Sequence, residues 1–526
     1  MSSSAVRSNL HAEEASPRAA AVIDIGATSI RMAIAEIHPN GDVRTLDTLV
    51  QAVDLGREAF ENRRISRKSI EKSASVLRRY QRVLREYGIT SRDVRVVATT
   101  AVREASNRLA FADRIFVATG LNVEPIDEAE VNRITYMGVT PHLRSHPELA
   151  DGKSLVVEVG GGNTEMILVR GGNVLSSQSF RLGSLRLRST LEGVRANASR
   201  RRSMMESHIR RVWARLSDDV HDGTPVNVVA LGGDIRFAAH QLLEDWDGSS
   251  LAELSTKRLA KFTSKILALD EDAIVKRYGA SFVEAETLGA ALLAFTMLAK
   301  HFSLPKLYVC DTNLRDGLLH DMAVGGSWTA DFRNQIVRSA ISLGRKFDVD
   351  ETHARNVAEL ARRLFDQLQH EHKLDNRHEV ILFVAALLHE IGLIVNVRSN
   401  HKHTLYLIRH SELFGLSKGE LLLVGLVARY HRRAYPQPSH DGYGTLPQEE
   451  RVVVSKLAAI LRLAIALDDT RSGRIREIEC THDGKQLIIN VPGVDDVSLE
   501  QIAMRENSGL FRDVFGLPVL LRARSQ

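Results

Sequence analysis

Two acidic residues sit where a buried strand would ordinarily exclude charge. In "AAAVIDIGATSIRMAIAEI", Ala19 to Ile37, Asp24 stands between Ile23 and Ile25 and is followed at once by Gly26. In "SLVVEVGGGNTEMILVRGG", Ser154 to Gly172, Glu158 holds the same place before Gly160. An unpaired carboxylate among apolar side chains is costly, so each charge calls for a partner. A glycine turn beside an acid offers backbone N–H groups to a phosphate and hard carboxylate oxygens to Mg²⁺ or its waters. Asp24 capping its own turn is the competing reading.

Both stretches have the form of an apolar strand, an acid, glycine, small polar residues and a second apolar strand, which predicts two related lobes each opening with a β-hairpin. Between them, "VRVVATTAVREASNRLAFADRIFVATG" reads as strand, loop and helix, and "DEAEVNRITYMGVT" as a helix. Alternating strands and amphipathic helices predict mixed α/β lobes. "VNVVALGGDIRFAAHQLL" predicts a strand, a Gly232–Gly233 turn and a helix start able to hold an anion. From about Trp328 the pattern turns to long helices rich in histidine, and "IREIECTHDGKQLIINVPG" reads as a late hairpin around an Asp-Gly turn. The expected organisation is an arm over residues 1–18, lobes over 19–135 and 136–325, a helical domain over 326–470 and a small α+β segment over 471–526.

Composition narrows the class. At 526 residues, with 44% hydrophobic and 26% charged residues, the chain reads as a soluble protein of several domains. No continuous apolar run reaches the roughly 18 to 20 residues of a membrane span, and Cys310 and Cys480 form neither a disulfide framework nor a zinc cluster. A cytoplasmic location without membrane partners is expected. The formal charge of +5 is modest, but Arg181 to Arg211 is rich in arginine. Such a field attracts polyanions, nucleic acid or a phosphate chain alike, unless these arginines only coat a solvated helix. There is no GxxxxGK[ST] run, and Glu165 occupies the third glycine position of a dinucleotide fingerprint.

Five segments in order, "IDIGATSIRM", "ATTAVREASN", "VEVGGGNTEM", "ALGGDIR" and "DTNLRDGLL", resemble the exopolyphosphatase/guanosine pentaphosphate phosphatases, members of the actin-like ATPase and sugar kinase superfamily. The resemblance runs from about residue 20 to the C-terminus. It implies two actin-like lobes, a homodimer, and release of a terminal phosphate by magnesium- or manganese-assisted water attack on inorganic polyphosphate or guanosine pentaphosphate, with no specific nucleic acid partner. It places Glu130 as the base that draws a proton from water. Arg103 becomes the fork that grips phosphate. Asp24 and Glu158 become the metal ligands, and Gly26, Thr28, Ser29, Gly161, Gly162, Asn163, Thr164, Gly232 and Gly233 the phosphate cradle. The chain departs from the family in Glu158 and Asn163, where the family has aspartate and serine, and in Val131, where a second acid would follow Glu130. A polyphosphate- or nucleotide-binding regulator without catalysis is the rival class, and a kinase is disfavoured for want of a sugar-site acid.

The late segment "ALLHEIGLIVNVRSNHKHTLYLIRHSEL" is similar to the helical domain of longer family members. His353, His389, Glu390 and Asp468 fall at the ligand positions of HD-type phosphohydrolases, with Glu390 replacing an aspartate. The preferred reading is nonetheless a helical domain without metal that supplies dimer contacts and a basic channel. His401, His403, His410 and His431 add basicity below neutral pH.

Overall fold

The alternating apolar and polar segments become two mixed sheets and a set of long helices in the computed structural model, which describes residues 17–190, 197–216, 220, 223–325, 329–432, 434–482 and 484–524. Residues 1–16 of the expected arm, Arg195 of the arginine-rich stretch and the expected boundary at 326–328 lie outside the described residues. The chain divides into two compact units, one formed by Met1–Gly172 and Ser179–Ser327, the other by Asn173–Gln178 and Trp328–Gln526.

The first unit holds both sheets. Strands β1 (Arg18–Ile25), β2 (Ser29–Ile37), β3 (Val43–Ala52), β4 (Val94–Ala98) and β5 (Val123–Pro125) assemble in the order β3-β2-β1-β4-β5. β1 and β2 are antiparallel, whereas β1, β4 and β5 run parallel. β1 is central and covered on both faces, which is why Ala20 through Ile25 read as one nearly continuous buried run. The second sheet is built from β6 (Lys153–Val159), β7 (Thr164–Arg170), β8 (Asn173–Phe180), β9 (Val226–Leu231), β10 (Ala252–Ser255) and β11 (Lys306–Val309), in the order β10-β11-β9-β6-β7-β8. Of β8, only Ser179 and Phe180 belong to this unit. Counted from β6, the order β8-β7-β6-β9-β11 repeats that of the first sheet, with β10 added antiparallel at the edge. The internal likeness of the two acid-glycine stretches is therefore a likeness of whole sheets.

Helices close these sheets. Asp127 caps the helix Glu128–Ser145 by accepting the Glu130 N–H, and Ser281 and Glu284 form a reciprocal capping box on Phe282–His301. The expected lobe boundary at 135/136 falls inside the first of these helices, since it carries the chain unbroken from one sheet to the next. Gly317 lets the helix Leu314–Ala323 press against it, because a Cβ there would lie 2.3 Å from the Ile134 carbonyl oxygen. That late helix joins Val22, Ala35 and Ile134 in one apolar cluster on the first sheet.

Phe282–His301 is long and apolar enough for a membrane span, with a mean hydropathy of 1.5. Its apolarity serves the core: Leu288, Ala291, Leu292, Phe295 and Leu298 are buried against the second sheet's cluster.

The second unit is helical, with Ala330–Lys346, Glu351–Gln367, Asn376–Leu388, Asn400–Arg409, Lys418–Arg429 and Gln448–Leu467 as its main helices. Asn376–Leu388 is buried over nearly its whole length and forms the centre of this packing. The expected late hairpin is β12 (Glu479–His482) with β13 (Leu487–Pro492), and β14 (Val519–Arg524) adds to it in parallel.

Candidate active site

The same turn is built twice. After Asp24, the Gly26 N–H donates to the Ser29 carbonyl at 2.9 Å; after Glu158, the Gly160 N–H donates to the Asn163 carbonyl at 2.9 Å. Both turns open onto one cleft of about 200 Å³ whose walls include Asp24, Gly26, Thr28, Ser29, Glu158, Gly161, Gly162 and Asn163. Gly232 and Gly233 border it as well. Gly232 needs its missing side chain, since its φ is +110°, and the helix Gly233–Leu242 starts there with its first turn at the cleft. Gly183 closes against the second turn, where a Cβ would come within 2.3 Å of the Gly161 carbonyl oxygen.

Three arginines that the sequence reading passed over line the same cleft: Arg31, Arg236 and Arg315. Arg31 and Arg315 stand 4.0 Å and 3.7 Å from Asp24 Oδ2. Arg236 is held from behind by Asp311, Nε to Oδ1 at 3.3 Å. Each arginine belonged to a quoted motif, "SIRM", "GGDIR" or "NLRDG", so the signal was present in the chain.

Across the hairpin registers, Asp24 pairs with Arg31, whereas Glu158 pairs with Glu165. Burial pushes the Glu165 carboxyl up to about 8, against the lowering effect of a 2.9 Å hydrogen bond from Ser179 Oγ. Burial also raises Glu158, where Arg236 opposes it and Asp24 adds to it. Asp234 is pushed up to about 6 by burial, with Thr287 Oγ1 donating to it at 2.9 Å. The cleft thus places raised carboxyls beside fixed guanidinium charges, a pattern concentrated at sites of proton transfer.

The other expected residues lie elsewhere. Glu130 does not line this cleft: Arg133 Nε and Arg95 Nη2 hold its carboxylate at 2.7 Å and 3.2 Å, and Asp321 completes the network. Although burial alone would raise it, the hydrogen bonds and charges of Arg133 and Arg95 leave Glu130 below the usual carboxylate value. Val131, the next residue along the helix, is the one that faces the cleft. Arg103 is likewise not a lining residue; it donates to the Ile126 carbonyl at 2.9 Å and pairs with Glu128 at 3.1 Å, just behind the lining residue Thr100. Thr164 is buried and gives its hydroxyl to the Leu182 carbonyl.

The donor set fits a divalent cation. Among the described residues, Asp24 Oδ1 and Glu165 Oε2 are buried carboxylate oxygens without a hydrogen-bond partner, and Glu158 lines the same cleft. Hard oxygen ligands of this kind suit Mg²⁺ or Mn²⁺.

In the helical unit, His353, His389 and Glu390 come together, with one ligand atom from each lying within 4.8 Å of the others. Asp468 stands behind His353, its Oδ2 2.8 Å from Nδ1.

Comparison with known proteins agrees with this architecture. Residues 18–324 match the Ppx/GppA phosphatase family and residues 337–507 match Ppx/GppA phosphatase domain III. The chain is 24% identical over 477 residues to a guanosine-5'-triphosphate,3'-diphosphate pyrophosphatase of Vibrio campbellii, covering 90% of this chain and 91% of that protein. A protein of the same name from Aliivibrio fischeri is 24% identical over 447 residues, covering 84% and 86%. Among solved structures, an exopolyphosphatase from Cytophaga hutchinsonii superposes with a TM-score of 0.53 at 22% identity, over 59% of this chain and 99% of that one. The fold is that of two actin-like α/β lobes followed by a helical region. With the model of that family matched along both sheets and across the cleft between their acid-bearing turns, the chain belongs to the Ppx/GppA phosphatase family.

Proposed function

We propose that this cleft releases terminal orthophosphate from inorganic polyphosphate by water attack, with Glu165 as the base. The observation that carries the reading is the convergence of Arg31, Arg236 and Arg315 on a cleft that also holds Asp24, Glu158 and the raised carboxyl of Glu165. Three guanidinium groups match the oxygens of a phosphoryl chain and neutralise charge that builds on the bridging oxygen as it leaves. The glycine turns and the first turn of Gly233–Leu242 leave room for a phosphate to approach backbone.

A divalent cation held by Asp24 and Glu158 would supply further charge neutralisation. Glu165, once ionised, takes a proton from a water molecule as that water's oxygen bonds to the terminal phosphorus. The phosphoanhydride P–O bond breaks, and its electron pair leaves on the shortened chain. Val131 presents an apolar wall at the cleft, and Glu130 keeps its arginines.

Guanosine pentaphosphate is the second reading, because the relatives from Vibrio campbellii and Aliivibrio fischeri span most of the chain and carry names for that class of substrate. Phosphate release from long polyphosphate, short polyphosphate, guanosine pentaphosphate and ATP, measured in Mg²⁺ with wild type and Glu165→Gln, tests both. Fastest release from polyphosphate that collapses in the variant is the expected result. Preference for guanosine pentaphosphate selects the second reading, and no release from any substrate favours a binding regulator.

A further inference from the structure

The helical unit contains a group of histidines for which the cleft chemistry has no use. His353, His389 and His431 come from three separate segments, and each is more than nine-tenths buried. The rings of His353 and His389 are 5.5 Å apart by centroid, and those of His389 and His431 5.4 Å apart.

Their hydrogen bonds share one feature. His389 Nδ1 lies 2.7 Å from the Ala386 carbonyl oxygen and His431 Nδ1 lies 2.6 Å from that of Ala428. A carbonyl only accepts, so both rings carry their proton on Nδ1. His353 Nδ1 faces Asp468 Oδ2 at 2.8 Å, and Asp468 Oδ1 in turn accepts the Gly473 N–H at 3.0 Å. In each ring the proton is fixed on one nitrogen and the Nε2 lone pair is left without a hydrogen-bond partner among the described residues. This is how a protein prepares imidazoles to bind a metal: a carbonyl or carboxylate sets the tautomer and orientation of each ring.

Glu390 completes the set. It follows His389 directly, and its carboxylate oxygen falls within the same 4.8 Å group as the His353 and His389 nitrogens. Arg471 occupies Glu390 Oε1, so this carboxylate is held in place by a cation it could release or share.

We propose that the helical unit binds one divalent transition metal through His353, His389 and Glu390, with Asp468 as the positioning residue for His353 and the His431 ring packed against His389. Two imidazoles and one carboxylate favour Zn²⁺, Co²⁺, Mn²⁺ or Fe²⁺ over Mg²⁺, which prefers an all-oxygen shell. The site shares no ligand with the cleft and stands whether or not the cleft hydrolyses polyphosphate.

The test uses the full-length protein stripped by chelator and returned to buffer with millimolar Mg²⁺, so that oxygen-only sites are already filled. Co²⁺ is titrated and followed by its visible absorption, and Zn²⁺ is titrated with metal content read after equilibrium dialysis. One equivalent per chain is expected. Asp468→Asn should weaken binding about 10- to 100-fold, and His353→Gln and His389→Gln should abolish the Co²⁺ band. Arg471→Met, which frees Glu390 without touching a proposed ligand nitrogen, should bind at least as tightly as wild type. Should a histidine variant fail to fold, Glu390→Gln decides, with a loss of tenfold or more expected. Wild type that takes up less than a tenth of an equivalent, or Glu390→Gln and folded histidine variants that bind as wild type does, would overturn the site.

Discussion

Replacing Glu165 by glutamine keeps the side chain's shape and removes its charge, which makes it the sharpest probe of the cleft. Burial raises this carboxyl from 4.5 to about 8, with Ser179 and Arg103 opposing and Glu128 and Glu158 assisting. An acid whose folded value is raised holds its proton more tightly in the native state than in the unfolded chain. Its contribution to stability is therefore complete below about pH 4.5 and is lost as pH rises from there through about 8. At about 1.4 kcal/mol for each tenfold change in proton affinity, the full loss is about 5 kcal/mol, and about half of it falls between about pH 5 and 7. Glutamine carries no such dependence. Without divalent cations, urea midpoints of wild type and Glu165→Gln should lie close together at pH 5, and the variant should become the more stable of the two by several kcal/mol by pH 8.5. In Mg²⁺ with polyphosphate, wild-type kcat/KM should rise with pH through the range in which Glu165 ionises, and the variant should lose about 10²- to 10⁴-fold in kcat. A stability difference that stays flat from pH 5 to 8.5, or hydrolysis within twofold of wild type, would refute the assignment.

Arg315→Met removes the guanidinium 3.7 Å from Asp24 and should raise KM for polyphosphate and lower kcat/KM by about 10- to 100-fold, as read by steady-state phosphate release. Glu130→Gln strips one acid from Arg133 while Asp321 remains at 2.9 Å, so it should cost about 1 to 3 kcal/mol in urea unfolding, discounted for Glu130's partial exposure, with kcat within about threefold of wild type. A hundredfold loss of kcat in that variant would return Glu130 to the chemistry. Gly183→Ala should force the second glycine turn apart, lowering stability by about 1 to 3 kcal/mol and raising KM, because the new Cβ meets backbone at 2.3 Å rather than a flexible side chain.

The two hairpins were legible because buried strands leave a strong signature and an acid inside one is rare. Asp24, Glu158 and their turns border one cleft. The arginines were harder to read: an arginine on a strand or helix ordinarily faces water, and only the arrival of three distant segments at one place separates Arg31, Arg236 and Arg315 from the rest. Glu130 and Val131 show the limit of a helical pattern. Successive residues point about 100° apart on a helix, so one position decides which side chain enters the cleft. That choice is made by Arg95 on β4 and Asp321 on the helix Leu314–Ala323, which capture Glu130 in a network no local window contains. The parallel pairing of β14 with β13 escaped for a related reason, since the helices Ser498–Asn507 and Gly509–Phe515 lie between them in sequence.

The repeated hairpin also accounts for how one cleft obtains two kinds of acid. Both turns use the same backbone bond, from Gly26 to Ser29 and from Gly160 to Asn163, so the two scaffolds present their acids in the same way. What differs is the residue opposite on the following strand. Arg31 faces Asp24, while Glu165 faces Glu158 and is raised chiefly by its burial, with the Glu158 charge adding a smaller part. A duplicated scaffold with a reversed charge at one register position thus separates the roles. One side sets Asp24 beside Arg31 and Arg315, and the other keeps Glu165, a carboxyl whose raised proton affinity suits exchange with water near neutral pH. Asp24 and Glu158 would hold a divalent cation, whose positive charge near Glu165 would lower that carboxyl's proton affinity against the burial that raises it.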